Sequence, residues 1–218
     1  MRASFAAVKR ARPLLGTLVE ISAQGRDANE AIDRAFAAVE RVHRAMSQQE
    51  STSDIPRLRS GHWAALDPWT RRVIDGAEEL RLATDGLFDC ASCNYSLDGI
   101  AKGFAVDRAV DCLRDASMTA GVVNAGGDLR VFGDEWQPLY VRSGAELIYI
   151  GQIRDAAVAT SASVGLIHPL GGKVRAAAVT VLAADCMTAD ALTKPCMLEP
   201  QQAAVAAERA GARVLRSA

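Results

Sequence analysis

The segment richest in usable chemistry is Asp98-Gly-Ile-Ala-Lys-Gly-Phe-Ala-Val-Asp-Arg108. Small residues at 99, 101 and 103 let backbone approach a ligand where a helix begins, the free N–H groups of a first turn attract an anion, and Lys102 adds a point charge. A phosphate-bearing ligand suits that chemistry, and so does an ordinary loop-to-helix turn with a solvated lysine. Asn124-Ala-Gly-Gly-Asp128 interrupts a strand pattern, where glycine weakens the ladder unless another group must come close. Asn124 and Asp128 offer an amide and an acceptor to a heterocycle or a ribose; a plain Gly-Gly hairpin turn is the alternative. Ala159-Thr-Ser-Ala162 sets two hydroxyls side by side, suited to phosphate or ring contacts or to capping a turn. In Thr188-Ala-Asp-Ala-Leu-Thr-Lys194, Asp190 and Thr193 stand at i and i+3 on one helix face. Hard oxygens so placed suit Mg2+, and equally a capping carboxylate beside a solvated threonine.

Of the histidines, His43 falls on an apolar helical stripe and reads as packed, and His62 lies in a polar loop. His168, in Ile167-His-Pro-Leu-Gly-Gly172, is the candidate for proton transfer. Cys90-Ala-Ser-Cys93 is a tight pair, but a zinc site needs two further ligands, so these cysteines read as small apolar residues in reduced surroundings. A nucleophile-elbow Gly-x-Ser-x-Gly, a P-loop and a dinucleotide Gly-x-Gly-x-x-Gly are absent, which removes the common hydrolase, NTPase and Rossmann readings.

The elements that position these residues follow from periodicity. Alternation after Gly16 predicts a strand to residue 22 with Thr17, Val19 and Ile21 on one face. Ala31, Ile32, Ala35, Phe36, Val39, Val42, His43 and Met46 form one stripe of a helix over 27–46 that should cover a sheet. Residues 47–66 are polar turn formers. Asp67-Pro68 then starts a second helix to about 84, and 99–117 forms a third. Strand pieces on either side of Gly126-Gly127 are followed by short strands at 138–142, 147–153 and 156–160, and by an apolar strand at 176–184. A helix from about 188, another over 201–210 and a strand at 212–216 close the chain. Strands and helices are segregated rather than alternating, so the class is α+β.

The 218 residues fit one large domain, 1–218. With 25 Lys plus Arg against 26 Asp plus Glu, the net charge of −1 supplies no field for a nucleic-acid backbone. The longest apolar runs are about half of the roughly 20 residues a membrane span needs. The basic start carries no apolar run of signal-peptide length, so the chain reads as cytoplasmic as written, or as periplasmic or an inner-membrane lipoprotein if a signal has been removed. A homodimer is left open.

In order, Leu15-Gly-Thr17, Met46-Ser47 with Ser53-Asp-Ile-Pro-Arg-Leu58, Gly86-Leu-Phe-Asp89, the 98–108 segment, Asn124 to Asp128, Ala159-Thr-Ser161 and Ala189-Asp-Ala-Leu-Thr193 resemble the ApbE family of FAD:protein FMN transferases, over about residues 12–195. The resemblance implies a T-fold-like α+β architecture with an antiparallel sheet packed against helices. It implies Mg2+-dependent transfer of FMN from FAD to a threonine or serine hydroxyl of a target flavoprotein, with AMP leaving. An FAD carrier without transfer and an FAD pyrophosphatase are the alternatives. By motif position, Asp190, Thr193 and the Gly99 carbonyl resemble metal ligands. Ser96, Asp98 and Lys102 would line the FAD site, and Leu15, Phe88, Gly126, Gly127, Asp128, Thr160 and Ser161 would border it. Gln49 stands where the family has a stacking aromatic or histidine. Gly165 and His168 stand at the histidine and aspartate of a His-x-x-Asp-Pro-like element, and Lys194 takes the usual position of the last motif's threonine, four residues after Asp190. The chain is compressed between Phe88 and Leu97 and between Ser163 and Pro169.

Overall fold

In the computed structural model, which describes residues 6–143, 146–162 and 178–216, Val19, Ile21 and Ala23 point inward from one strand while Leu18 just before them stays exposed. That strand, β2 (Thr17–Gln24), pairs antiparallel with β1 (Val8–Leu14). Lys9, Arg10 and Arg12 therefore lie on an edge strand. Its charges face a helix, where the Arg12 guanidinium lies 4.5 Å from the Phe36 ring and 2.6 Å from Asp33.

That helix, α1 (Ala28–Met46), buries Ala31, Ile32, Ala35, Phe36, Val39, Val42 and Met46 at three- and four-residue steps, as the stripe predicts. The polar stretch after it is more ordered than its composition suggests. It holds α2 (Ile55–Arg59) and a 3₁₀ turn at Trp63–Ala65. Asp54 is the reason: its buried carboxylate accepts the Asp67 N–H at 2.8 Å and the Thr70 hydroxyl at 2.6 Å, tying the stretch to the next helix. In α3 (Pro68–Ala83), Asp67 caps by accepting the Trp69 N–H at 2.8 Å, and proline occupies the first turn.

The remaining elements are α4 (Ala101–Asp115), β3 (Ala120–Ala125), β4 (Asp128–Phe132), β5 (Gln137–Ser143), β6 (Glu146–Ile153), β7 (Ala157–Ala162), β8 (Ala178–Ala183), α5 (Cys186–Leu198), α6 (Pro200–Arg209) and β9 (Arg213–Arg216). One antiparallel sheet runs β1-β2-β3-β4-β7-β8-β9, and β5 pairs with β6 in a separate hairpin. Val123, Ala125, Ala157, Ala159, Val179 and Val181 join Val19 and Ile21 in the main core with the helices. On the opposite face Val131 and Val158 pack with Leu139 and Ile153 of the hairpin. The architecture is α+β, an antiparallel sheet packed with helices. Among the described residues no helix is long and apolar enough to cross a membrane.

Helices α4 and α5 cross at close range. A Cβ added at Gly103 would stand 2.2 Å from the Cys186 carbonyl oxygen and 2.8 Å from Asp190 Cβ, so only glycine fits. Gly103→Ala is expected to lower stability by about 3 kcal/mol or more, because backbone, not a flexible side chain, is in the way. Urea unfolding checks this, and an unchanged midpoint would show that the helices can part at no cost.

Candidate functional site

Antiparallel pairing brings three irregular pieces to one end of the sheet: the Leu15–Gly16 turn between β1 and β2, the Gly126–Gly127 turn between β3 and β4, and the Thr160–Ser161 end of β7. Leu15, Gly16, Gly126 and Gly127 all have positive φ, and a Cβ at Gly126 would lie 2.4 Å from the Thr17 hydroxyl oxygen. Asn124 closes the second turn by accepting the Gly127 N–H at 3.0 Å. The Gly-Gly segment is thus a hairpin turn pressed against the first one.

Helix α4 begins at this end. Three of the amides around its start are already taken, where the glycines suggested donors open to an anion. Ile100 and Ala101 donate to the Leu97 carbonyl, and Gly103 donates to Asp190 Oδ2 at 3.0 Å. Side-chain cations are what the site presents instead. Lys102 Nζ lies 2.8 Å from Asp128 Oδ2, yet that buried oxygen has no aligned hydrogen-bond donor. Burial pushes the Lys102 ammonium down, but the charge of Asp128 beside it outweighs this and holds it above the usual lysine range. Burial, and then the nearby charge of Asp190, push the Asp128 carboxyl up to about 6 against the opposing pull of Lys102 and Lys194.

The second pair is Asp190 with Lys194. Asp190 is wholly buried; the Lys194 ammonium pairs with its Oδ1 and donates to its carbonyl at 3.0 Å. Thr193 donates its hydroxyl proton to the same carbonyl at 2.7 Å, so Ser161, 2.7 Å away, must donate to Thr193. Thr160 meets the Thr180 hydroxyl at 3.0 Å. Lys194 carbons lie about where a Cβ at Gly99 would touch them, and Phe88 packs on the same glycine while being fully buried. Phe88 therefore supports the helix-start loop from beneath and does not line open space.

Leu15, Gln49, Asp98 and Lys102 line a cavity of about 310 Å³ that also takes in His43 and Met46. Ser96 joins it through Gln48, whose amide donates to Ser96 Oγ at 2.9 Å and to Asp98 Oδ2 at 2.6 Å, with Arg59 on its other end at 3.0 Å. A second cavity of about 360 Å³, between α3 and residues 89–95, holds none of the paired lysines and aspartates. His168 and Gly165 lie outside the described residues. Cys90 is buried, which pushes its thiol up to about 12 and keeps it an inert apolar filler.

One participant escapes the sequence reading and two take on bonds it did not foresee. His43 is not only packed: its Nδ1 accepts the Leu15 N–H at 3.1 Å, so the neutral ring carries its proton on Nε2 and the first turn is fixed to α1. Gln48 sits beside the singled-out Gln49 with no local signal of its own. Lys194 is visible only as the residue four positions after Asp190, the spacing at which helix side chains meet.

The donor set does not suit the Mg2+ that the resemblance implies. Both Asp190 oxygens are engaged, one by an ammonium, and a divalent ion about 4 Å from that ammonium would cost roughly 8 kcal/mol at an effective dielectric near 20.

Fold and site together define a class: an α+β protein in which a helix start, two strand turns and two lysine–aspartate pairs gather at one end of an antiparallel sheet, with Lys102 lining a cavity there. The chain belongs to the ApbE family, whose model matches residues 15–96 and 92–215. It is 30% identical over 167 residues to an FAD:protein FMN transferase of Vibrio cholerae serotype O1, covering 64% of this chain and 49% of that protein, so it spans about half the length of that curated relative. The solved flavin transferase ApbE from Vibrio cholerae superposes with a TM-score of 0.82 at 20% identity, covering 98% of this chain and 94% of the other. The apo Pseudomonas stutzeri flavinyl transferase ApbE gives 0.80 at 16% identity, covering 100% and 93%. These two likenesses show the shared fold.

Between the ordinary carboxyl value of 3.8 and about 6, folded Asp128 holds its proton more tightly than the unfolded chain does, so its ionisation makes stability fall as pH rises through that window. Asp128→Asn is expected to flatten that component of a thermal-melting profile between about pH 4 and 7. Wild-type and variant profiles of equal slope would refute it.

Proposed function

We propose that the chain is a flavin transferase, a single domain over 1–218 that takes FAD and moves its FMN part to a threonine or serine hydroxyl of a target flavoprotein. The observation that carries this reading is the approach of two lysines to the helix start, Lys102 lining the cavity and Lys194 packed against Gly99, two cations for a diphosphate that carries two negative charges. The family membership and the name of the Vibrio cholerae relative support it.

In the reaction, the acceptor oxygen bonds to the phosphorus of the FMN half, the bridging P–O bond breaks, AMP leaves with that electron pair, and the hydroxyl proton passes to a base. Charge gathers on the bridging and leaving oxygens, where fixed cations act most strongly in a site with little water. Lys102 is tethered by Asp128 and Lys194 by Asp190, so both are oriented before substrate arrives. The Leu15 turn, fixed by His43, and Met46 offer an apolar wall to the flavin ring, and Gln48 orients Asp98 and Ser96 at the rim. His168 remains the proposed proton acceptor from sequence. A divalent ion, where one binds an ApbE protein, would add Lewis-acid neutralisation of the same oxygens; the cations present here are the two lysines.

A carrier that holds FAD without transfer is the second reading, favoured by Gln49, an exposed amide at the cavity that cannot stack as an aromatic would. Incubation with FAD and a flavoprotein acceptor domain is expected to release AMP and leave flavin covalently on the acceptor. Lys102→Met should slow this by about 10²–10³-fold, the cost of removing one preorganised charge-stabilising donor. Bound FAD without AMP selects the carrier, and free FMN selects hydrolysis.

A further inference from the structure

We propose that Lys194 is the resident cation of this site, an ammonium on the chain itself that does for a bound diphosphate what a divalent ion would do, so that nucleotide binding here is metal-independent. The inference rests on the flavin-nucleotide reading for its ligand but not for its charge arrangement, which belongs to the protein alone.

Asp190 is fully buried, and a buried carboxylate requires a compensating charge. Lys194, only 13% exposed, supplies it from one helical turn away, bonded both to the carboxylate and to the Asp190 carbonyl. Of the two carboxylate oxygens an ion would use, one is thereby bonded to an ammonium and the other to the Gly103 N–H. Thr193, one residue short of the position Lys194 holds, turns its proton to the Asp190 carbonyl and accepts from Ser161. The Lys194 side chain also lies against Gly99, the residue that opens the helix-start loop, so its charge reaches the place where phosphate oxygens must sit beside Lys102. An ammonium fixed by two acceptors keeps one further N–H for a ligand, since it has three donors.

The experiment is titration of Mn2+ alone into the intact chain, followed by FAD binding measured by flavin fluorescence with and without a chelator. The wild type is expected to take up no stoichiometric Mn2+, and its FAD affinity to change by less than about twofold on chelation. Lys194→Thr frees Asp190 and is expected to bind one Mn2+ per chain and to lose about tenfold or more in FAD affinity when the metal is removed. Lys194→Arg, which keeps the charge, should stay indifferent to Mn2+ and guards against a threonine variant that fails to fold. Stoichiometric Mn2+ uptake by the wild type overturns the proposal, as does a tenfold fall in its FAD affinity on chelation. Failure of FAD to bind under any condition overturns the flavin reading instead, because the nucleotide-free Mn2+ titration still decides the role of Lys194.

Discussion

Two helices that cap one another hold this molecule's working end together. Asp107, on α4, accepts the N–H groups of Cys186 and Met187 at the start of α5, at 2.9 and 2.8 Å. Asp190, on α5, accepts the N–H of Gly103 in the first turn of α4. Each carboxylate meets the positive end of the other helix, where unpaired donors and the aligned peptide dipoles both favour an anion. Glycine at 103 is the geometric condition, because any Cβ would drive the backbones apart and break both caps. Arg130 reaches Asp107 from β4 at 2.7 Å, so the same lock grips the sheet.

The lock also sets the electrostatics of the site. Burying four carboxylate oxygens at the crossing is tolerable only because each carboxylate has N–H donors and a cation, since an ion removed from water without partners would cost several kcal/mol. Burial still pushes Asp107 up, against the pull of Arg130 and the two α5 N–H groups. Asp128 is the least compensated member. Its partner Lys102 stands off the hydrogen-bond line, and Asp190 repels it from across the site. An anionic ligand competing for Lys102 would therefore draw the ammonium from a carboxylate that gives it up readily.

Periodicity in the chain revealed most of the frame. The α1 stripe, the Asp67–Pro68 start of α3 and the inward register of Val19 and Ile21 are local signals, each carried by residues within a few positions of one another. β1 escaped because an edge strand whose outward charges pair with a helix shows no apolar run; Arg10 and Arg12 declare their role only once Asp33 is beside them. The order in 47–66 escaped for a similar reason, being imposed by one buried carboxylate that reaches sixteen residues along the chain to Thr70. The site was legible in its motifs but not in its bonding. Nothing near Gly103 in sequence announces that its amide is already taken, so open helix-start donors were expected where side-chain cations do the work.

The last motif shows how one position changes a site's chemistry without moving its backbone. Positions three and four residues beyond Asp190 both fall on its helix face, so a hydroxyl and an ammonium compete for the same neighbourhood. With threonine at the nearer position, its hydroxyl is turned inward to the Asp190 carbonyl and Ser161. With lysine at the farther one, a flexible four-carbon stem curls back to the carboxylate. An oxygen there would leave Asp190 a net anion in a buried place, which is a seat for a metal. The ammonium neutralises it. The difference between a chain that recruits its cation and one that carries it therefore lies in which of two adjacent side chains the helix presents to a single buried aspartate.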